Sequence, residues 1–306
     1  MRLKQISNSP FVNVFLFSFF WALQIFIAKL GFINGAKPVT MVFQAGIVAL
    51  FSLAIYVLPK NIKKLKGLTK DIFWGLILAN AIHFGLGGYF SNFGNALTSA
   101  INAGFLVKFA LVTTTILAWI FLKEKMTWVK AISVLAMLFG NYLISTKGQS
   151  LVPQAGDILI ILACLCWSVG NILIKKTLKN NDVNADIISF LRPVAGLPVF
   201  LFFLALAPMY PSAVQKVFMV NPFDTKYLIY AIGSGVFTAL LWIYLNRTLK
   251  IASASYMTMM SMMTSVFVAI LALTFLGETM TTAQLGGAVL TILAGVVTHY
   301  AGIAKG

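Results

Sequence analysis

Apolar runs of about 18–22 residues alternate with short polar breaks ten times along the chain, approximately at 11–28, 39–58, 72–93, 100–121, 128–145, 157–174, 187–207, 227–246, 254–275 and 283–302. Each run is long enough to cross the roughly 30 Å hydrocarbon core as a helix. The pattern therefore predicts an all-α integral membrane protein of ten transmembrane helices. The longest connections, around 59–70 and 208–226, are too short to fold alone, which leaves no soluble catalytic domain. Composition agrees: 60% of the 306 residues are hydrophobic and 10% are charged, and the mean hydropathy is +0.93, more apolar than a water-soluble fold requires. The first run follows Arg2 and Lys4 like a signal peptide. It is too long for one and has no small-residue cleavage site after it, so it reads as the first span.

The chain repeats itself. Phe121-Leu122-Lys123-Glu124-Lys125-Met126-Thr127 and Phe275-Leu276-Gly277-Glu278-Thr279-Met280-Thr281 share most of their residues, and each string stands between two long apolar runs. At the same offset of 154, Asn92 matches Asn246 and Ser99-Ala100 matches Ser253-Ala254; at 146, Trp21 matches Trp167 and Lys29 matches Lys175. This divides the chain into 1–150 and 151–306, five helices each. An odd number of spans per copy puts the two copies in opposite orientations across the membrane, with a central site between them and two access states.

Charge orients the chain. With a cytoplasmic N-terminus, sixteen Lys and Arg fall inside and only Lys29, Lys37, Lys147, Lys216 and Lys226 outside, while Lys108 and Arg192 lie within spans. The positive-inside rule then places both termini in the cytoplasm. The net charge of +16 faces anionic lipid and calls for no nucleic-acid partner. Cys164 and Cys166 stand two apart on one helix, point to different faces and cannot pair with each other; they read as small packing residues.

These features together resemble the EamA family of the drug/metabolite transporter superfamily. Those that carry the likeness are the two five-helix repeats, Trp then Lys on the first helix of each, Phe190-Leu191-Arg192 early in the seventh span, and Glu124 or Glu278 followed by Thr and a helix ending at Gly140 or Gly295. The chain departs from the family in having Leu111 and Ser265 where a proline is common, Gln44-Ala45 where a repeat-one arginine would stand, and Lys123 in place of the glycine before Glu124. The resemblance implies a transporter in the bacterial inner membrane.

Ionisable groups inside a bilayer are costly and point to function. Lys108, near the middle of the fourth span, is the first candidate for a central cation. Arg192, one turn into the seventh span, suits a surface anchor or a substrate contact equally. His83 reads as a hydrogen-bonded structural residue or a proton carrier, and His299 as interfacial. Trp21 and Gln24, matched by Trp167 and Asn171, offer aromatic surfaces with nearby amides; Asn80, Asn102, Tyr244 and Tyr256 complete the candidate binding set. Glu124 and Glu278, just ahead of helix N-termini, read as solvated turn carboxylates, with ion coupling as the alternative. The methionines at 257, 259, 260, 262 and 263 occupy too many faces to form one stripe. Glycines at 85, 87, 88, 233, 235, 286 and 287 permit close helix approach.

No Asp or Glu falls in the body of a span. Small multidrug exporters of the same superfamily use a first-helix glutamate for cationic cargo; here that helix offers only Gln24. A cavity with Lys108 favours a carboxylate or other anionic group. No metal-ligand spacing, phosphate-binding loop or dinucleotide motif appears, so neither an enzyme nor a cofactor is expected. The reading is a secondary transporter, an exporter of small zwitterionic or anionic metabolites such as amino acids, working by alternating access. Two alternatives stand beside it: an antiporter of phosphorylated or nucleotide-linked metabolites, which needs at least two cavity cations, and a non-transporting scaffold or lipid-binding protein.

Overall fold

The computed structural model describes residues 9–210, 212–218, 221–277 and 279–302; Arg2, Lys4, Glu278 and Lys305 of the sequence argument lie outside them. Among the described residues every regular element is helical, and ten helices have the length and hydropathy to span a bilayer. They are α1 (Pro10–Ile33), α2 (Pro38–Lys66), α3 (Lys70–Ala96), α4 (Ile101–Leu122), α5 (Trp128–Thr146), α6 (Asp157–Asn180), α7 (Ala185–Ala205), α8 (Leu228–Ile251), α9 (Ala254–Phe275) and α10 (Thr282–Tyr300). A short helix, Ser212–Phe218, lies between α7 and α8.

Local chemistry sets the helix starts. The hydroxyls of Ser9, Thr69, Ser99, Thr127, Ser253 and Thr281 each accept from the backbone N–H three residues on, satisfying a donor that the helix itself cannot. Ser99 and Ser253, like Thr127 and Thr281, are matched at the offset of 154, so the two halves open equivalent helices with equivalent caps. Thr281 and Gln284 form a capping box at the start of α10.

Packing exchanges the halves. α1 lies along α8 and touches α9, while α6 lies along α3 and touches α4; α2 meets α8 as α7 meets α3; α5 and α10 pair with each other. These main inter-half contacts recur with the halves swapped, as two inverted five-helix repeats require. The α5–α10 seam is close enough to need glycine: a Cβ on Gly140 would stand 2.7 Å from the Gly287 carbonyl oxygen. Asn141 then donates to Thr291 Oγ1 across it at 3.3 Å. The glycine expectation holds only in part, since Gly88 and Gly286 meet no neighbour.

The lipid-facing surface carries large exposed apolar side chains such as Phe51, Ile55 and Ile132. Trp74, Trp119 and Trp128 are exposed near the α2–α3 and α4–α5 turns, the position of an interfacial aromatic belt. Those turns, with α6–α7 and α8–α9, mark the face from which α1 starts, called here the terminal face.

Candidate functional site

A cavity of about 1180 Å³ runs into the bundle between α1, α2, α3, α4, α6, α8 and α9. Its mouth is formed by Lys29 at the end of α1, Lys37 at the start of α2, Asn95 and Ala96 at the end of α3, and Lys216 on the short helix. All of these belong to the face opposite the terminal one. Its blind end is formed by Phe17, Thr114, Asn171 and Leu245. None of the described residues lining it is Asp or Glu.

Two broken helices meet at mid-depth. The first segment of α4, within the helix Ala100–Leu106, tightens through Val107–Phe109 and the helix resumes at Ala110; α9 breaks at Met262, between Ala254–Ser261 and Met263–Phe275. The offset of 154 maps Lys108 onto Met262, so the breaks are repeat equivalents, and both residues line the cavity. Discontinuous helices at the bilayer midplane are the usual setting of transporter binding sites. Neither break uses proline, consistent with Leu111 and Ser265 nearby. Cys164, expected as an inert filler, instead donates its thiol to the carbonyls of Leu106 at 3.4 Å and Val107 at 3.5 Å, where α4 tightens.

Lys108 is only 9% exposed, yet its Nζ makes no hydrogen bond or ion pair among the described residues. It lies over the ring of Trp21, with the centroid 6.0 Å away. A buried ammonium so poorly compensated favours an anion. Asn171, 7% exposed and also lining the cavity, carries an Oδ1 with no donor among the described residues. Gln24 donates to Ser234 Oγ at 3.1 Å, and Trp167 completes the α6 side.

His83 sits on a π-helical turn, Ala81–Leu86, within α3, a distortion common at functional sites. Its Cβ packs so closely on Gly170 that a side chain there would clash. Arg192 stands behind it, donating to His83 Nδ1 at 2.7 Å and to Asn246 Oδ1 at 3.1 Å. Arg192 is 0% exposed, so it is neither a surface anchor nor a cavity-lining residue.

The structure thus brings Trp21, Gln24, His83, Lys108, Trp167 and Asn171 to one cavity and keeps the other candidates away from it. Asn80 donates to the Leu76 carbonyl of its own helix at 2.9 Å and does not reach the cavity, its Oδ1 having no partner among the described residues. Asn102 donates to the Val152 carbonyl and the Asp157 carboxylate, tying α4 to the start of α6. Tyr244 stacks on Phe20 and lies under the Arg247 guanidinium. Tyr256 is buried, its hydroxyl 3.0 Å from His299 Nδ1. Polarity alone did not separate these from the lining residues, because hydrogen bonds between and within helices use the same side chains. Ser234 and Thr114 also line the cavity without having been candidates; Met257 and Met262 of the methionine cluster line it too, and the repeat offset applied to Lys108 points to Met262.

The terminal face is closed by bonds between the halves and within each of them. Glu124, expected to be solvated, is 6% exposed. It accepts from the Ala254 N–H at 2.7 Å, the Ser255 N–H at 3.4 Å, the Ser255 hydroxyl and Lys130 Nζ at 3.2 Å. It therefore caps the N-terminus of α9 in the other half, not that of its neighbour α5, because α9 presents the free amides. Lys175 holds the same α8–α9 turn from the other side, donating to the Leu249 and Ala252 carbonyls, each at 2.7 Å. Arg247 pairs in a fork with Asp186 and reaches Tyr56 on α2.

With ten spans, swapped inter-half contacts and a one-sided cavity in view, comparison with known proteins is decisive. The profile of the EamA-like transporter family matches residues 9–146 and again residues 154–299. The chain belongs to the EamA-like transporter family. A curated relative, an uncharacterized transporter of Bacillus subtilis (strain 168) called YyaM, is 27% identical over 143 residues; the match covers 45% of this chain and 46% of that protein. A solved crystal structure superposes over 97% of both chains with a TM-score of 0.74 at 14% identity, a likeness of fold alone. As an EamA-like transporter the chain is a multi-pass membrane protein, and its cavity is the place to look for cargo.

Proposed function

We propose that the protein is a secondary transporter that exports small zwitterionic or anionic metabolites, amino acids foremost, by alternating access across a bacterial inner membrane. The observation that carries this reading is Lys108: a buried ammonium with no counter-ion among the described residues, in a cavity whose described lining holds no carboxylate. The substrate carboxylate supplies the missing partner. A charge-assisted hydrogen bond in so enclosed a place is stronger than in water. Lys29, Lys37 and Lys216 at the mouth draw anions toward it, and the unpartnered Asn171 Oδ1 is an acceptor suited to an ammonium. The excess of Lys and Arg on the terminal face supports cytoplasmic termini. The cavity then opens to the periplasm, and Glu124, Lys175 and Arg247 close the cytoplasmic side.

Phosphorylated cargo would need a second deep cation, and Arg192 is committed to His83 and Asn246 behind the wall. A single cation favours a singly charged carboxylate. The test is transport of a labelled amino-acid panel by proteoliposomes, with efflux and uptake measured separately, for wild type and Lys108→Ala. Movement of one class that the folded variant loses supports the reading; a panel that does not move, or an unaffected variant, sinks it.

A further inference from the structure

The guanidinium of Arg192 raises a chemical question, because it is wholly buried and among the described residues pairs with no carboxylate. Its partners are the His83 ring nitrogen Nδ1 and the Asn246 side-chain oxygen, while its Nε has none. Asn246 is itself fixed, donating to Ser189 Oγ at 2.9 Å and to the Trp242 carbonyl at 3.0 Å. Burying an unpaired cation is expensive, so this arrangement calls for a compensating role.

Donor logic gives one. Arginine has only N–H donors, so the His83 Nδ1 that it meets must present a lone pair. The remaining ring proton is then on Nε2. A second proton on Nδ1 would set N–H against N–H at 2.7 Å. His83 lines the cavity, and its Nε2 has no partner among the described residues. Around it α6 presents Gly170 against the Cβ, and Trp167 and Asn171 of α6, Trp242 of α8 and the cation Lys108 of α4 line the same cavity.

We propose that Arg192 is a positioning residue that acts through His83, holding the imidazole as a neutral Nε2–H donor aimed into the cavity, so that cargo must bring an acceptor there. This rests on the cavity being the transport site. His83 is then a fixed selectivity group, and the proton-carrier role allowed by sequence falls away. Lys108 and His83 are two donors on one wall system, which selects for a carboxylate or carbonyl oxygen beyond the first charge contact.

The chain has two histidines, His83 and His299, so a ¹⁵N-histidine-labelled sample in lipid gives two imidazole signatures, and His299→Gln assigns them. The expected His83 signature at pH 7 is an unprotonated Nδ1 and a protonated Nε2, kept in Arg192→Lys, which can also only donate, and lost to a tautomer mixture in Arg192→Gln, whose amide can accept. A protonated Nδ1 in wild type, or an unchanged signature in folded Arg192→Gln, overturns the assignment. If Arg192→Gln does not fold, wild type and Arg192→Lys decide it. For the donor role, His83→Gln, which keeps an N–H near the Nε2 position, should transport with KM within about threefold of wild type, and His83→Phe should raise KM at least tenfold; equal KM values for the two overturn that role. The spectrum is read without transport, so absence of any carboxylate transport counts against the proposed cargo and leaves the tautomer result standing.

Discussion

Two side chains with unmet bonding capacity define the cavity chemistry. Lys108 needs an anion and Asn171 Oδ1 needs a donor. An unsatisfied buried oxygen costs about 1–3 kcal/mol, so Asn171→Leu should leave the melting temperature unchanged or raised while weakening substrate binding at least tenfold. Thermal unfolding in detergent, beside a binding titration, checks both; a destabilised variant with normal affinity would mean that Asn171 serves the fold alone. The sequence marked both residues because an amide and a lysine deep in apolar runs are rare. It marked Asn80, Asn102, Tyr244 and Tyr256 for the same reason. What distinguishes them is whether the side chain faces the cavity, since Asn80 Oδ1 is also without a partner among the described residues, and that depends on helix rotation, which residue type does not specify.

At the scale of elements, the decisive features are helix ends and breaks. Lys123 ends α4 in the left-handed region, at φ 55°, where the repeat-equivalent Gly277 has φ 62°. A side chain in that conformation costs about 1 kcal/mol, so Lys123→Gly should raise the unfolding free energy by about that amount, measurable as a small rise in thermal midpoint. An unchanged or lower midpoint would show that the lysine has a compensating contact. Glu124 next to it links the halves through the α9 N-terminus. Glu124→Gln weakens the carboxylate bonds to two amides and to Lys130, and should speed maleimide labelling of Ala252→Cys from the terminal face several-fold in a Cys166→Ser background; equal rates would show that this contact does not hold the face shut. Spans, caps and the duplicated string were legible because they follow from hydropathy and local spacing. The partner of Glu124 was not, since it lies 130 residues away across the interface between the halves.

For the whole molecule, inverted duplication explains the architecture: one set of inter-half contacts, made twice with the halves exchanged, leaves a cavity open at one face and bonded shut at the other. The five-span count made this fold readable in advance, whereas which face would be open was not encoded in any repeat-symmetric feature. The central claim is that Lys108 holds the anionic group of the cargo, and a chemical double-mutant cycle tests it most directly. Affinities would be measured for the transported amino acid and its uncharged carboxamide, each with wild type and with Lys108→Met, the residue found at the equivalent place in the other half. The account predicts that removing the charge from either partner lowers affinity at least tenfold, about 1.4 kcal/mol, and that removing both costs little more than removing one. Additive losses, or a variant that binds the carboxylate as tightly as wild type, would contradict it.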